Sequence, residues 1–324
     1  MMKFIKKALK KDTKLYKYLS AINYYAIYIN NRIIARKSIK LLIKHIYKKY
    51  HNEIINLETP SSFSEKLQWL KIYWYDERAT MCCDKYLVRN YLEKKGFSNI
   101  LNKLVGEGVY DISKKININS LPDKFVIKPT HDSGHALICT DKSKFNFKKA
   151  FSKLDRWLKV NYAYMSGEWP YKDITPRIIC EEYLEDGLNH SLTDYKFFCF
   201  NGKPEFVQVD IDRFASHKRN FYDLEWNLMD MRLLYPNDKD NILREPKLLD
   251  NMIEIAERLS EGFPFVRVDL YYTQNDKIIF GELTFFPEGG TANFEPFKWN
   301  EILGKKIKLP SKKNPWNVTD FQVY

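Results

Sequence analysis

The 324-residue chain has only twelve glycines and thirteen prolines, which excludes collagen-like and low-complexity classes. Its five cysteines, Cys82, Cys83, Cys139, Cys180 and Cys199, form no C-x-x-C pair, so the common zinc and redox frameworks are absent. They read as inert core thiols of a protein kept in a reducing cytoplasm. Neither G-x-x-x-x-G-K-[ST] nor G-x-G-x-x-G occurs, which removes the P-loop and the dinucleotide fingerprint. No apolar run is long enough to span a bilayer: the charge-free stretch Tyr18 to Asn31 includes Ser20 and Asn23. The basic N-terminal region is too long and no small-residue cleavage site follows the apolar run, so no signal peptide is expected.

What the chain does have is 44% hydrophobic residues, enough for a large core of two or three structural units, and an uneven charge. Residues 1–50 hold fourteen Lys and Arg against one acid, Asp12, whereas residues 51–324 hold 39 bases against 40 acids. Only the arm is basic. In "MMKFIKKALKKDTKLYKYLS", Phe4, Ile5, Ala8, Leu9, Leu15, Tyr16 and Leu19 recur at helical spacing with lysines between them, which predicts a basic amphipathic helix. Three roles stay open for this arm: contact with an anionic lipid surface, a solvated helix packed on the body, or a nucleic-acid contact by charge alone. The neutral body argues against broad nucleic-acid binding, and no nucleic-acid partner is expected.

The segment "LETPSSFSEKLQWLKIYWYDERATMCCDKYLVRNYLEKKG" predicts two helices. The first starts from Thr59 or Ser61 with Glu65 and carries Phe63, Leu67 and Leu70 as its apolar stripe, and Gly96 closes the second. From Leu121 short apolar runs take over, joined by tight turns such as Asn201-Gly202, with one helix over Pro246 to Glu261. This is an α+β pattern rich in antiparallel sheet. Its expected divisions are a basic arm (1–52), a helical or mixed region (53–120), two sheet-bearing subdomains (121–184 and 185–310) and a tail (311–324).

The run "FVRVDLYYTQNDKIIFGELTFFPEGG", Phe265 to Gly290, reads as a hairpin with acids inside apolar strands. A two-residue turn at Asn275-Asp276 opposes Thr273 to Ile278, Asp269 to Glu282 and Arg267 to Thr284, with Val266, Val268, Leu270, Ile279 and Leu283 on the core face. Opposed like charges are destabilising without a neutralising partner. A hard divalent cation is one solution; a structural pairing with Arg267, or an exposed face, is another. Further candidates are Lys128 at the end of "KFVIKP", the turn-rich loop after it, the acids of "RIICEEYLEDG", Asp194 and Lys196 with Arg213 on the next hairpin, and Arg219. The "DID" at Asp210 to Asp212 matches the short metal motif of many glycosyltransferases and keeps that activity open as an alternative.

Taken in order, "FSEKLQWLK", "CDKYLVRNYLEKKG", "FVIKPTHDSGHALI", "IICEEYL", "DYKFFCFNGKP", "RNFYDLEWN" and "RVDLYY…FGELTFFPEGG" resemble the ATP-grasp proteins, in particular the TupA-like branch of bacterial surface polysaccharide biosynthesis. The resemblance implies two α+β subdomains gripping ATP, and a ligase that phosphorylates a carboxylate for attack by an amine. It implies phosphate contacts from Lys85, placed on the helix before the grasp domain, and from Lys128. The phosphate loop would run from His131 through Ser133 and Gly134 to His135. An adenine-facing hinge falls at Glu181, Glu182, Tyr183 and Leu184, and a ribose contact at Asp194. Lys196, Arg213 and Arg219 would meet phosphate or substrate, Arg267 would steady the transferred phosphoryl group, and Asp269, Glu282 and Thr284 would hold Mg²⁺. Thr284 stands where the wider family often has Asn, and the phosphate loop has one glycine where other branches have several. His131, His135 and His217 are candidate bases for the amine. The implied partners are ATP, a uronic-acid glycan or a nucleotide- or lipid-linked sugar, and an amino acid or amine.

Overall fold

The computed structural model describes residues 13–184, 193–211, 217–240, 242–273 and 275–317. A long helix α1 (Lys14–Lys37) and α2 (Ile39–His51) form the arm, meeting at Ser38. Residues 1–12, more than half of the predicted basic helix, lie outside the described residues. Among the described residues no helix is long and apolar enough to cross a membrane.

Three helices follow where two are predicted: α3 (Phe63–Tyr73), α4 (Glu77–Cys83) and α5 (Val88–Lys94). The start of α3 lies at Ser62, whose hydroxyl accepts from the Glu65 amide while the Glu65 carboxylate receives the Ser62 amide. The break between α4 and α5 comes from Asp84. Its buried carboxylate accepts the amides of Tyr86 and Leu87 at 2.7 and 3.1 Å and so supports a turn.

A four-stranded antiparallel sheet has the order β1-β4-β2-β3, with β1 (Leu104–Tyr110), β2 (Phe125–Pro129), β3 (Leu137–Cys139) and β4 (Ile178–Glu182). The stretch expected as a helical or mixed region before residue 121 therefore supplies an edge strand of this sheet. Helix α6 (Phe147–Trp157) buries Leu154 against its small core of Phe125, Ile127, Ile178 and Cys180. A short helix α7 (Ala163–Ser166) packs beside α1.

The second sheet is five-stranded, order β7-β6-β5-β8-β9: β5 (Thr193–Phe200), β6 (Lys203–Ile211), β7 (Lys218–Tyr222), β8 (Phe265–Tyr272) and β9 (Ile278–Thr284). The β5–β6 turn has positive φ at both Asn201 and Gly202, as a two-residue hairpin turn demands. Helix α8 (Leu249–Ser260), shorter at both ends than predicted, buries Met252, Ile255, Ala256 and Leu259 on the rear of this sheet. A last helix α9 (Lys298–Lys306) packs on α3. The five cysteines are free and buried, as expected of core thiols, and burial pushes Cys180 and Cys199 up to about 12.

The β8–β9 hairpin departs from the simple register. Tyr272 faces Ile278, where Thr273 was expected, and a bulge between Asp269 and Leu270 then restores Asp269 opposite Glu282 and Arg267 opposite Thr284. Within the outer turn the pairing is one residue off, so Phe280 (7% exposed) takes the core position predicted for Ile279, which stays half-buried.

Candidate active site

Period-two alternation places the charged residues of the large sheet on its front face and the apolar ones on α8. Strand register then lines them up. Glu282, Asp269, Lys196 and Gln208 form one row across β9, β8, β5 and β6; Tyr271, Asp194, Asp210 and Arg219 form the next. Arg267 Nε and Nη2 donate to Asp269 Oδ1 and Oδ2 at 2.7 and 2.6 Å, and Nη2 lies 3.5 Å from Glu282 Oε1. Lys196 Nζ donates to Asp194 Oδ2 and, at 3.1 Å, to Asp269 Oδ2.

Burial opposes the charges on Lys196 and Arg267, but Asp269 and Asp194 outweigh it and both cations are held above their ordinary pKa values. Burial, reinforced by the neighbouring Asp194 charge, holds the Asp269 carboxyl above its ordinary pKa against the opposing pull of the Arg267 fork and Lys196. Glu282 is half-buried. Its burial is outweighed by Arg267, Lys196, Lys85 and the Thr284 hydroxyl, which hold its pKa below the ordinary value.

Thr284 is a connector. It donates to Glu282 Oε1 at 2.9 Å and accepts from Arg267 Nη2 at 3.3 Å, fixing the carboxylate relative to the guanidinium. Arg219 is held by Asp210 (Nε to Oδ1 2.6 Å), lies 3.3 Å from Glu288 Oε1 and stacks over Tyr235. His217 Nε2 is 3.2 Å from the same Asp210 carboxylate. Arg213 and Asp212 lie outside the described residues. Asp210, the first residue of the "DID" match, is engaged by Arg219 in a buried ion pair.

The small sheet and its approaches supply the rest. Lys128 Nζ is 2.6 Å from Glu181 Oε2 on the adjacent strand. Lys85 stands on the turn between α4 and α5, where the resemblance implied a helix. Its amide donates to Thr130 O at 3.0 Å, and its Nζ donates to the Asp132 carbonyl with Asp132 Oδ1 at 3.4 Å. His135 Nδ1 is 2.6 Å from Asp132 Oδ2, and its ring stacks on Trp157. Ser133 is half-buried, while Gly134 is exposed with φ +88°. His131 is buried with Nε2 3.2 Å from the Val160 carbonyl, and burial lowers its pKa, which keeps the ring neutral. At the hinge, Glu182 N donates to Lys103 O at 2.9 Å and Glu182 O accepts from Asn102 Nδ2 at 3.0 Å. Its backbone is therefore turned toward β1, and Tyr183 and Leu184 follow it, half-buried.

Sequence reasoning missed the partners: Asp132 for Lys85, Asp210 for Arg219, Glu288, and the Arg177–Asp84 pair at 2.8 Å that ties the small sheet to the α4–α5 turn. Only strand register could have exposed the Asp210–Arg219 pair, since the two face each other across β6 and β7.

The charges on the front face do not balance. Among the described residues, three cations (Lys196, Arg219, Arg267) face five carboxylates (Asp194, Asp210, Asp269, Glu282, Glu288), a surplus of two negative charges. Among the described residues no three His, Cys, Asp or Glu side chains gather as a metal cage. Glu282 Oε2 takes no hydrogen bond there. Two hard carboxylates with a net negative field fit an ion that takes its remaining ligands from water and phosphate, as Mg²⁺ does.

A family model described as TupA-like ATP-grasp matches residues 65–308. None of the curated proteins matches the sequence. Among solved structures, D-alanine–D-alanine ligase from Bacillus anthracis complexed with ATP is similar at 12% identity and a TM-score of 0.37, over 63% of this chain and 53% of that one. L-amino acid ligase from Bacillus licheniformis is similar at 11% and 0.43, over 74% and 52%. D-alanyl-alanine synthetase A from Vibrio cholerae is similar at 11% and 0.40, over 75% and 62%. The chain thus spans about half of the length of the first two of these structures.

Proposed function

Because the chain belongs to the TupA-like ATP-grasp family, we propose that it is an ATP-dependent carboxylate–amine ligase, forming an amide on a uronic-acid-containing glycan or sugar precursor of a bacterial surface polysaccharide. The observation that carries the ligase reading is the front face of the large sheet. There a charge surplus suited to one divalent ion adjoins two arginines and a lysine, each fixed by carboxylates. The uronic-acid substrate rests on the resemblance to the TupA-like branch.

In this reading Lys85 and Lys128 exchange Asp132 and Glu181 for the phosphates of ATP, so no uncompensated cation exists before the nucleotide arrives. Tyr183 and Leu184 offer backbone groups to the adenine. Asp269 and Glu282 would hold Mg²⁺, with Thr284 orienting Glu282. When bound, the ion offsets charge on the phosphates. Arg267 is locked by Asp269, so it donates to the transferring phosphoryl group without reorganising, the main electrostatic advantage available to such a site. Phosphorylation gives the carboxylate carbon a leaving group; the amine nitrogen then forms the C–N bond as phosphate departs with the C–O electron pair.

The test is incubation of the purified protein with ATP, Mg²⁺, uronate-containing acceptors and mixed amino acids, following ADP, phosphate and product mass. Release of ADP that requires both carboxylate and amine, with an amide product, is expected. Sugar transfer without ATP consumption would overturn the reading.

A further inference from the structure

We propose that the outer face of α1 is a docking surface for an anionic lipid bilayer. Leu15, Tyr18, Ile22, Ala26, Ile29 and Ile33 recur at intervals of three and four, which places them on one stripe about 27 Å long at 1.5 Å per residue. All six are exposed, Tyr18 at 65% and Ile29 at 55%. The opposite side of the helix is the one committed to the body: Tyr28 and Asn31 are buried, the Tyr28 hydroxyl receives Asn161 N at 3.4 Å, and Asn31 Nδ2 donates to Met165 O at 2.9 Å. Among the described residues the apolar stripe therefore serves no packing.

Charge selects the occupant. Residues 13–52 hold nine Lys and Arg and no acid. Arg36, Lys37, Lys44, Lys48 and Lys49 are exposed, and among the described residues no carboxylate pairs with them. A second copy of the chain would bring cations against cations. A nucleic acid would meet the charge and leave the aliphatic stripe in water. An anionic bilayer surface accepts both, with aliphatic side chains entering the headgroup boundary and lysines remaining among the phosphates. The inference does not depend on the ligase reading.

The test is co-sedimentation of the full chain with vesicles of phosphatidylcholine, with and without phosphatidylglycerol. Binding to the anionic vesicles is expected, and Ile29→Glu with Ile33→Glu weakens it at least ~30-fold while leaving the circular dichroism and Tm unchanged. Ile242→Glu, at an equally exposed aliphatic residue outside the arm, should bind like the parent. Four results would overturn the proposal: no vesicle binding, equal binding to neutral vesicles, salt-sensitive binding indifferent to the Glu pair, or a dimer in sedimentation velocity that the Glu pair dissolves.

Discussion

Replacing Asp210 with Asn removes a carboxylate that organises the front of the large sheet. Asp210 is buried, receives Arg219 Nε at 2.6 Å and Nη2 at 3.3 Å, and lies 3.9 Å from Lys196 Nζ. Burial works to raise its pKa, but Arg219, then Lys196 and His217, outweigh burial and bring it from 3.8 to about 2. A depression of that size corresponds to about 2 kcal/mol. Since the folded pKa lies below the unfolded one, this contribution is complete above about pH 4 and disappears as the pH falls toward about 2. Asn keeps one acceptor oxygen but removes the charge, leaving Glu288 as the one carboxylate beside buried Arg219 among the described residues, so the loss at neutral pH is expected at about 2–4 kcal/mol. Urea unfolding followed by tryptophan fluorescence measures it: the variant's midpoint drops at pH 7 with an unchanged m-value, and its gap from the parent narrows at about pH 3. A loss under about 0.5 kcal/mol at pH 7, or the same gap at both pH values, would refute the electrostatic account.

Glu282→Gln removes half of the proposed metal pair at a half-exposed position, so turnover of ATP should vanish while Tm stays within a few degrees; retained ADP release would remove the metal role. Lys85→Met should raise KM for ATP by about tenfold, without unfolding the protein, by taking away a phosphate contact; unchanged KM in steady-state kinetics would leave Lys85 as loop support alone. Gly281→Ala brings a Cβ to 3.0 Å from the Asp269 carbonyl and 3.3 Å from Tyr271 Cε2, which should cost about 1–2 kcal/mol in denaturation and lower kcat by shifting Asp269; an unaltered midpoint would mean that the bulge relaxes freely.

The opposed acids were legible in the sequence because strand period two and a turn signal place Asp269 and Glu282 on one face of a hairpin, close to opposite. That pairing held although the tip slipped by one residue, since the bulge restores the offset. The core position of Phe280 was not legible, because a bulge leaves no pattern in a run as apolar as "KIIFGEL". Strand β1 was equally hidden: "LVGEGVY" carries positive φ at Gly106 and Gly108 and a register shift between Leu104 and Val109, so it reads as loop and becomes strand only beside β4. Lys85 and Lys128 were found as cations, but their carboxylate partners, Asp132 from a loop and Glu181 from a neighbouring strand, depend on tertiary placement.

The bulge in β8–β9 divides one hairpin into two mechanically separate halves. Beyond it, the paired residues Leu270 to Tyr272 and Ile278 to Phe280 answer to the packing of Phe280 on the core. Before it, residues 267–269 and 282–284 answer to the carboxylates and Arg267. Changes in tip length or composition can then accumulate over evolution without rotating the acids off the front face, because the extra residue already absorbs a change of phase. A hairpin of this kind lets its outer rim be reshaped for a new neighbour while the chemistry at its base stays in place.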